Sequence, residues 1–325
     1  MNNGAEILKS ISELLHDSRR ILIAAHIRPD GDAVGSLLGL GLALQSAGKQ
    51  VQMVSADGVP NAYQFLVGTD QIVPSPSGNF DSMITLDCSD IKRVGNALNG
   101  FARPDLNIDH HLTNENFAKI NLVDAKAVAT SEILAVIMPQ LGIKITQPAA
   151  AALLTGIVTD TLGFRTSNMT SNALRIAADL FEFGVDLPEI YQRTLVEHSF
   201  EAIGYWAAGL SRLKRSDGLV WAVMTSEDRK IAHYPGRDDA DLITVLSSIT
   251  GIDIAIVFVE QSHERVKVSW RARPGFDVSR IAVSFGGGGH AAAAGAELHG
   301  AISEVQERVL RATQLIREGT ILENG

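Results

Sequence analysis

The sequence predicts an α/β protein organised as two domains, and three observations carry that reading. The chain has 325 residues, more than one hydrophobic core usually serves. Its first half alternates short apolar runs with longer stretches of helical period, the pattern of a mostly parallel sheet covered by helices. After a wholly helical stretch, a second and smaller α/β series follows. Hydrophobic residues make up 46% and charged residues 20%, an ordinary globular composition.

Taken in order, residues 1–15 mix Glu6, Lys9 and Glu13 into a helical pattern, without the basic start and apolar run of a signal peptide. Residues 21–25 read as a buried strand. Residues 35–47 read as an apolar helix ended by Gly48, a residue suited to the left-handed cap. Strands are expected at 51–55, 82–86 and 106–108, and helices at 129–141 and 148–158. From 186 to 215 the pattern is wholly helical, opening on Asp186-Leu187-Pro188-Glu189, where Pro188 suits a first helical turn. Beyond it, strands are expected at 219–224, 252–259 and 266–270, with helices near 240–248 and 302–316. The expected division is a first domain over 1–185, a helical linker over 186–215 and a smaller domain over 216–325. The one compositionally biased segment is 286–295, glycine followed by alanine.

A formal net charge of -9 argues against a protein that coats long nucleic acid, whose affinity comes from clustered Lys and Arg on phosphates. A small anionic substrate is compatible with it if metal ions or a few arginines compensate locally. The single cysteine, Cys88, permits neither a disulfide framework nor a thiolate zinc cluster, which fits a reducing cytoplasm. No apolar stretch reaches the roughly 18 residues of a membrane helix, so a soluble protein is expected.

The chemistry-bearing residues cluster at predicted strand ends. The first strand runs into His26-Ile27-Arg28-Pro29-Asp30-Gly31-Asp32-Ala33-Val34-Gly35-Ser36. In open α/β sheets the carboxyl edge is where ligands bind. Pro29 fixes a bend and Gly31 permits a tight loop that aims Asp30 and Asp32 at a common point; the plain alternative is a solvated turn with Asp as helix cap. A second strand delivers Asp87 and a third Asp109-His110-His111. Asp87 by itself is an ordinary strand-terminating aspartate, but paired histidines after an aspartate and an apolar strand rarely answer a packing need. Asp160, ordinary alone, follows a helix beside a glycine turn. Together His26, Asp30, Asp32, Asp87, His110 and Asp160 offer nitrogen and oxygen donors without sulfur, a set suited to manganese or magnesium. Four carboxylates in one crevice repel one another unless cations balance them, and two divalent ions about 4 Å apart can share a hydroxide nucleophile and stabilise phosphorus on both sides.

These motifs resemble the ordered motifs of DHH phosphoesterases. The tail Phe285-Gly286-Gly287-Gly288-Gly289-His290, followed by residues 291–295, resembles the signature of the associated DHHA1 domain. Size and architecture are most similar to the branch that degrades very short RNA (nanoRNases) and 3'-phosphoadenosine-5'-phosphate (PAP). The resemblance implies two Mn2+ ions, with Mg2+ as the alternative. His26, Asp30 and Asp87 would hold one ion and Asp32, Asp87, His110 and Asp160 the other, with Asp87 bridging. By the same resemblance His111 would contact the scissile phosphate or protonate the leaving oxygen, and Asp109 would orient a ligand or water.

For substrate binding, Gly287, Gly288 and Gly289 let backbone N–H groups approach a phosphate, and His290 adds a polar contact; the plain alternative is a flexible surface loop. In the family this segment faces the metal site across the interdomain cleft. Arg271 and Arg273 end a predicted strand on one face, where they can meet a phosphate or a base. Arg165, five residues after Asp160, is a further phosphate candidate. The expected activity is Mn-dependent hydrolysis of short oligoribonucleotides to mononucleotides, with PAP as a second substrate; a dimer is expected by family analogy. The nearest alternative is a cyclic dinucleotide phosphodiesterase. Exopolyphosphatase or pyrophosphatase activity, a processive DNA exonuclease and a nucleotide sensor without turnover fit the residues less well, the last because a sensor has no evident need for two metals.

Overall fold

A computed structural model describes residues 3–98, 100–101 and 103–317. The chain divides into two compact units, Met1–Glu197 and His198–Gly325. The first unit opens with α1 (Asn3–Asp17), β1 (Arg20–Ala24), α2 (Gly31–Ser46), β2 (Gln50–Val54), β3 (Ile72–Val73), β4 (Ser82–Leu86), β5 (Leu106–Asp109) and β6 (Ile120–Val123). It continues through α3 (Thr130–Gln140), α4 (Gln147–Asp160), α5 (Ser171–Phe181) and α6 (Leu187–Tyr191). Its six strands form one parallel sheet in the order β3-β2-β1-β4-β5-β6. The chain runs outward from β1 through β2 and β3, then returns to the other side of β1 as β4. The β1/β4 boundary is therefore the point where strand order reverses, the preferred ligand position in an open α/β sheet.

Alternation along β1 shows how the sheet is sandwiched. Ile21 and Ile23 pack into the core built with α1 to α5. Leu22 and Ala24 pack into a smaller cluster on the opposite face, capped by Val94, Ala97 and Leu98. The helices thus bank on one face; the other is covered by short 3₁₀ turns over Ile91–Leu98.

Close α2/α4 packing depends on glycine. A Cβ at Gly35 would lie 2.5 Å from the Ala152 carbonyl oxygen, and one at Gly39 2.5 Å from Leu153 Cδ2. Gly31, Gly35 and Gly39 recur every four residues, one face of a helix. This face explains why α2 starts four residues before the expected boundary. Asp30 is its N-cap, accepting the N–H groups of Asp32 and Ala33, a contact worth about 1 kcal/mol.

The second unit comprises α7 (Phe200–Ser211), β7 (Lys214–Ser216), β8 (Leu219–Met224), α8 (Ser226–Ile231), α9 (Leu242–Ser247), β9 (Ile254–Ser262) and β10 (Arg265–Ala272). It ends with α10 (Ser279–Ser284), β11 (Gly288–His290), β12 (Ala293–His299) and α11 (Ile302–Arg317). Its sheet has the order β11-β12-β10-β9-β8-β7, with only β8/β9 parallel. β9 is buried on both faces: Ile254, Ile256 and Phe258 face α10 and α11, whereas Ala255, Val257 and Val259 join the core of α7 and α9.

One expectation needs correction here. The stretch 186–215 is not one linker helix. α6 passes into a π-helical turn over Gln192–Val196, Glu197 is extended, Ser199 caps a new helix at Ala202, and Lys214–Ser216 is a strand. In the glycine-alanine segment, Gly288–His290 and Ala293–His299 form a paired hairpin rather than the flexible surface loop that was the plain alternative.

Candidate active site

The four sequence motifs of the first unit converge at the carboxyl end of its sheet. β1 delivers His26, whose Nδ1 bonds the Ile27 carbonyl at 2.8 Å and so carries the proton. Its buried Nε2 has no hydrogen-bond partner. It faces Asp87 Oδ2 at 3.3 Å and Asp30 Oδ2 at 3.7 Å. β4 delivers Asp87, whose backbone sits at φ 56, an uncommon left-handed conformation that a short polar side chain tolerates. β5 delivers Asp109, His110 and His111. His110 Nε2 faces Asp87 Oδ1 at 3.7 Å and Asp160 Oδ2, from the last turn of α4, at 3.5 Å.

Three sets of donor atoms lie within 4.8 Å of one another: His26, Asp30 and Asp87; Asp32, His110 and Asp160; and Asp87, His110 and His111. Atoms that share one cation at about 2.1 Å must themselves stand about 3 Å or more apart. The Nε2 of His26, buried and held at such distances from two carboxylates, fits that requirement once its proton is displaced, and the donor set can hold metal. His111 reaches the cluster through Nδ1, 3.6 Å from Asp87 Oδ1, but that nitrogen is also 2.7 Å from Asp109 Oδ1.

Electrostatics match a cation-binding site. Burial opposes charge on His26, yet the carboxylates of Asp30 and Asp87 outweigh it and raise its pKa to about 10. His110 rises to about 9, burial again being overcome, here by the charges of Asp87, Asp32 and Asp160. Burial and the neighbouring Asp87 lift Asp32 to about 6, and burial with the charge of Asp32 lifts Asp160 well above the usual carboxylate range. Asp109 is lowered: burial is outweighed by its bond to His111. Asp30 falls to about 2, burial being outweighed by His26. The raised acids show mutual repulsion that divalent cations would relieve.

Several residues without a role in the motifs hold this cluster. Asp32 Oδ2 accepts the Thr130 N–H at 2.6 Å, and its Oδ1 accepts the Ser131 N–H at 2.9 Å. The Thr130 hydroxyl donates to Asp87 Oδ1 at 3.1 Å. Asn114 donates to Asp109 Oδ2 and to the Cys88 carbonyl. Gly156 of α4 leaves room for this arrangement, since a Cβ there would lie 2.1 Å from Ser131 Oγ and 2.8 Å from Asp32 Oδ1. The four-residue glycine period of α2 was a legible signal for such close packing; the links from Thr130 to Asp32 and Asp87 and from Asn114 to Cys88 are long-range and had none.

The remaining candidates lie in other surroundings. Arg271 lies on β10 opposite Ala293, which in turn pairs with His290, so the three share one face. β10 ends at Ala272, so strand alternation does not extend to Arg273, whose guanidinium donates to the Ile249 carbonyl. Arg165 is exposed and bonds the Leu162 carbonyl. Among the glycines, a Cβ at Gly287 would lie 2.2 Å from the Gly295 carbonyl oxygen and one at Gly289 2.5 Å from that of Ala293. Gly288 is different, being exposed with nothing within 4 Å of such a Cβ. No helix among the described residues is long and apolar enough to cross a membrane.

A parallel sheet with a His/Asp cluster at its switch point, followed by a second α/β unit, defines the class: the chain belongs to the DHH family of phosphoesterases. Residues 20–157 match the DHH family N-terminal domain and residues 237–318 the DHHA1 domain. The chain is 34% identical to the bifunctional oligoribonuclease and PAP phosphatase of Thermus thermophilus, over 97% of this chain and 94% of that protein. The Bacillus subtilis protein of the same name is 25% identical, over 90% and 93% of the two chains. A crystal structure of an exopolyphosphatase-related protein from Bacteroides fragilis superposes with a TM-score of 0.88 at 25% identity, covering 96% of this chain and 98% of that chain.

Proposed function

We propose that this protein hydrolyses short oligoribonucleotides to mononucleotides and removes the 3'-phosphate of PAP, using two Mn2+ ions. The observation that carries the proposal is the His26/Asp87/His110 arrangement, in which a buried, unpartnered imidazole nitrogen and several carboxylates converge at the sheet's switch point. The relatives named for both activities, matched over nearly their full length, supply the substrate class. Oxygen and nitrogen donors without thiolate favour manganese or magnesium.

In this reading His26, Asp30 and Asp87 hold one ion, and Asp32, Asp87, His110 and Asp160 the other. When bound, the ions supply nucleophile activation and charge neutralisation at phosphorus. The chain's own residues do the rest. Asp109 engages His111 Nδ1 at 2.7 Å, which fixes the ring and directs Nε2 to the leaving oxygen as the proton donor. Arg271, His290 and Gly288 form the substrate-contacting face of the second unit: of Gly287, Gly288 and Gly289, only Gly288 is free of a packing demand, so its bare surface suits close approach of a phosphate or sugar. A cytoplasmic, homodimeric enzyme completes the proposal.

The test is chromatography of products from the purified protein with Mn2+ and, in parallel, pApA, PAP, cyclic di-AMP and inorganic polyphosphate. Turnover of pApA and PAP without opening of the cyclic compound is the expected result. Fastest opening of cyclic di-AMP would move the enzyme to second-messenger turnover, and fastest cleavage of polyphosphate would contradict the nucleotide reading.

A further inference from the structure

Helix α3 begins without a local cap: Ala129 occupies the N-cap position and its side chain cannot accept a hydrogen bond. The first-turn N–H groups of Thr130 and Ser131 donate instead to the carboxylate of Asp32, from the first turn of α2. The same short segment reaches two further donors of the metal cluster. The Thr130 hydroxyl bonds Asp87 Oδ1, and the Ala127 carbonyl lies 3.4 Å from His110 Nδ1. Ser131 Oγ also contacts Ser36 Oγ, which bonds Asp32 Oδ1 at 3.3 Å. Residues 127–131 therefore touch Asp32, Asp87 and His110, whereas Asp30 takes its bonds from its own helix start and His26 from the Ile27 carbonyl.

The segment is itself tied down. Glu132, buried, accepts the Val128 N–H at 2.8 Å through Oε2, and its Oε1 accepts from Asn172 of α5 at 2.8 Å. A rigid helix start thus points two N–H groups and one hydroxyl at carboxylates that would otherwise repel and drift apart when no cation is bound.

We propose that residues 127–131 are a bracket that preorganises one of the two metal subsites, that of Asp32, Asp87, His110 and Asp160, with Thr130 as its positioning residue. This rests on the two-metal reading given above. Thr130 does not itself hold the ion; its hydroxyl keeps Asp87 turned so that Oδ1 faces that subsite, and its N–H holds Asp32. Outer partners of this kind commonly change metal affinity by about 10–100-fold. The effect here is selective because, of the shared Asp87, the bracket bonds Oδ1, the oxygen facing His110, and not Oδ2, the oxygen facing His26, and it makes no bond to His26 or Asp30.

Calorimetric titration of the metal-free full-length protein with Mn2+ tests this, comparing wild type, Thr130→Val and Thr130→Ser, with His26→Ala identifying which binding event belongs to the unbracketed subsite. Wild type is expected to show two events. Thr130→Val, nearly isosteric, should weaken the bracketed event by about tenfold or more, leave the other unchanged, and still fold without metal, melting somewhat below wild type because a buried donor to Asp87 is lost; Thr130→Ser should restore the affinity. Equal weakening of both events, unchanged binding, or failure of serine to restore it would overturn the proposal while leaving the two-metal reading intact. Fewer than two events in wild type would overturn that reading and the bracket with it. If Thr130→Val does not fold, Thr130→Ala against Thr130→Ser carries the same comparison.

Discussion

In the first unit, donors from separated segments of the chain (His26, Asp30 and Asp32 after β1, Asp87 after β4, His110 after β5, Asp160 in α4) meet at one sheet edge. In the second, a run of glycine and alanine interrupted by His290 makes a hairpin with itself. Both were conspicuous in the sequence, but for different physical reasons. Convergent His and Asp residues are expensive to bury without a counter-charge, so their presence at strand ends already speaks of ligands. Glycines have two uses, conformational and spatial, and a sequence does not separate either from ligand binding. The structure does: Gly287 and Gly289 are required by backbone contacts with Gly295 and Ala293, and Gly288 is not.

The largest effect is expected in the first unit. Asp87→Asn keeps the shape of a 2% exposed side chain but removes its charge, and it should lower turnover by more than the roughly 10²–10³-fold lost with one charge-stabilising donor. Retained activity would mean that Asp87 bridges nothing. In the second unit Gly289→Ala places a methyl against the Ala293 carbonyl at φ 139 and should destabilise the protein by about 1–3 kcal/mol in a melting experiment. Gly288→Ala should leave stability within about 0.5 kcal/mol and raise KM severalfold. Equal stability losses for both variants would make the whole run structural.

A smaller effect concerns pH. In the metal-free protein His26 and His110 have pKa values raised to about 10 and 9, above the unfolded value of about 6.5. Their stabilisation is complete below pH 6.5 and is lost as pH rises through 9 to 10. Asp32, raised to about 6, acts in the same direction at lower pH, its contribution fading between about pH 4 and 6. Melting of the metal-free protein should therefore decline from pH 6.5 to 10. If His26 and His110 are ligands as proposed, they would be neutral in the Mn-loaded protein, which should then show a weaker dependence, and identical slopes would contradict that assignment.

Much of this architecture was legible because period and burial agreed. The strand at β1 alternates between two apolar clusters, and the β4 and β5 strands end on the residues that matter. What escaped had a physical reason. β6 is half-buried along its length and short, so it carries no apolar run. β11 and the first half of β12 are mostly glycine and alanine, which lack strand propensity; pairing and the burial of Ala294, Ala296 and Leu298 hold them in place. The break at Glu197 is marked locally only by Ser199, an N-cap signal inside a stretch that otherwise reads as helix. At the site, every first contact was visible as a donor residue, but the Thr130 bracket joins positions 98 and 43 residues apart and becomes visible only in three dimensions.

The most direct test of the central claim is anomalous diffraction at the manganese edge from crystals grown with Mn2+. Two peaks about 4 Å apart are expected, one beside His26 and Asp30, the other beside Asp32, His110 and Asp160, with Asp87 between them. A single peak, or none at these residues, would contradict that claim.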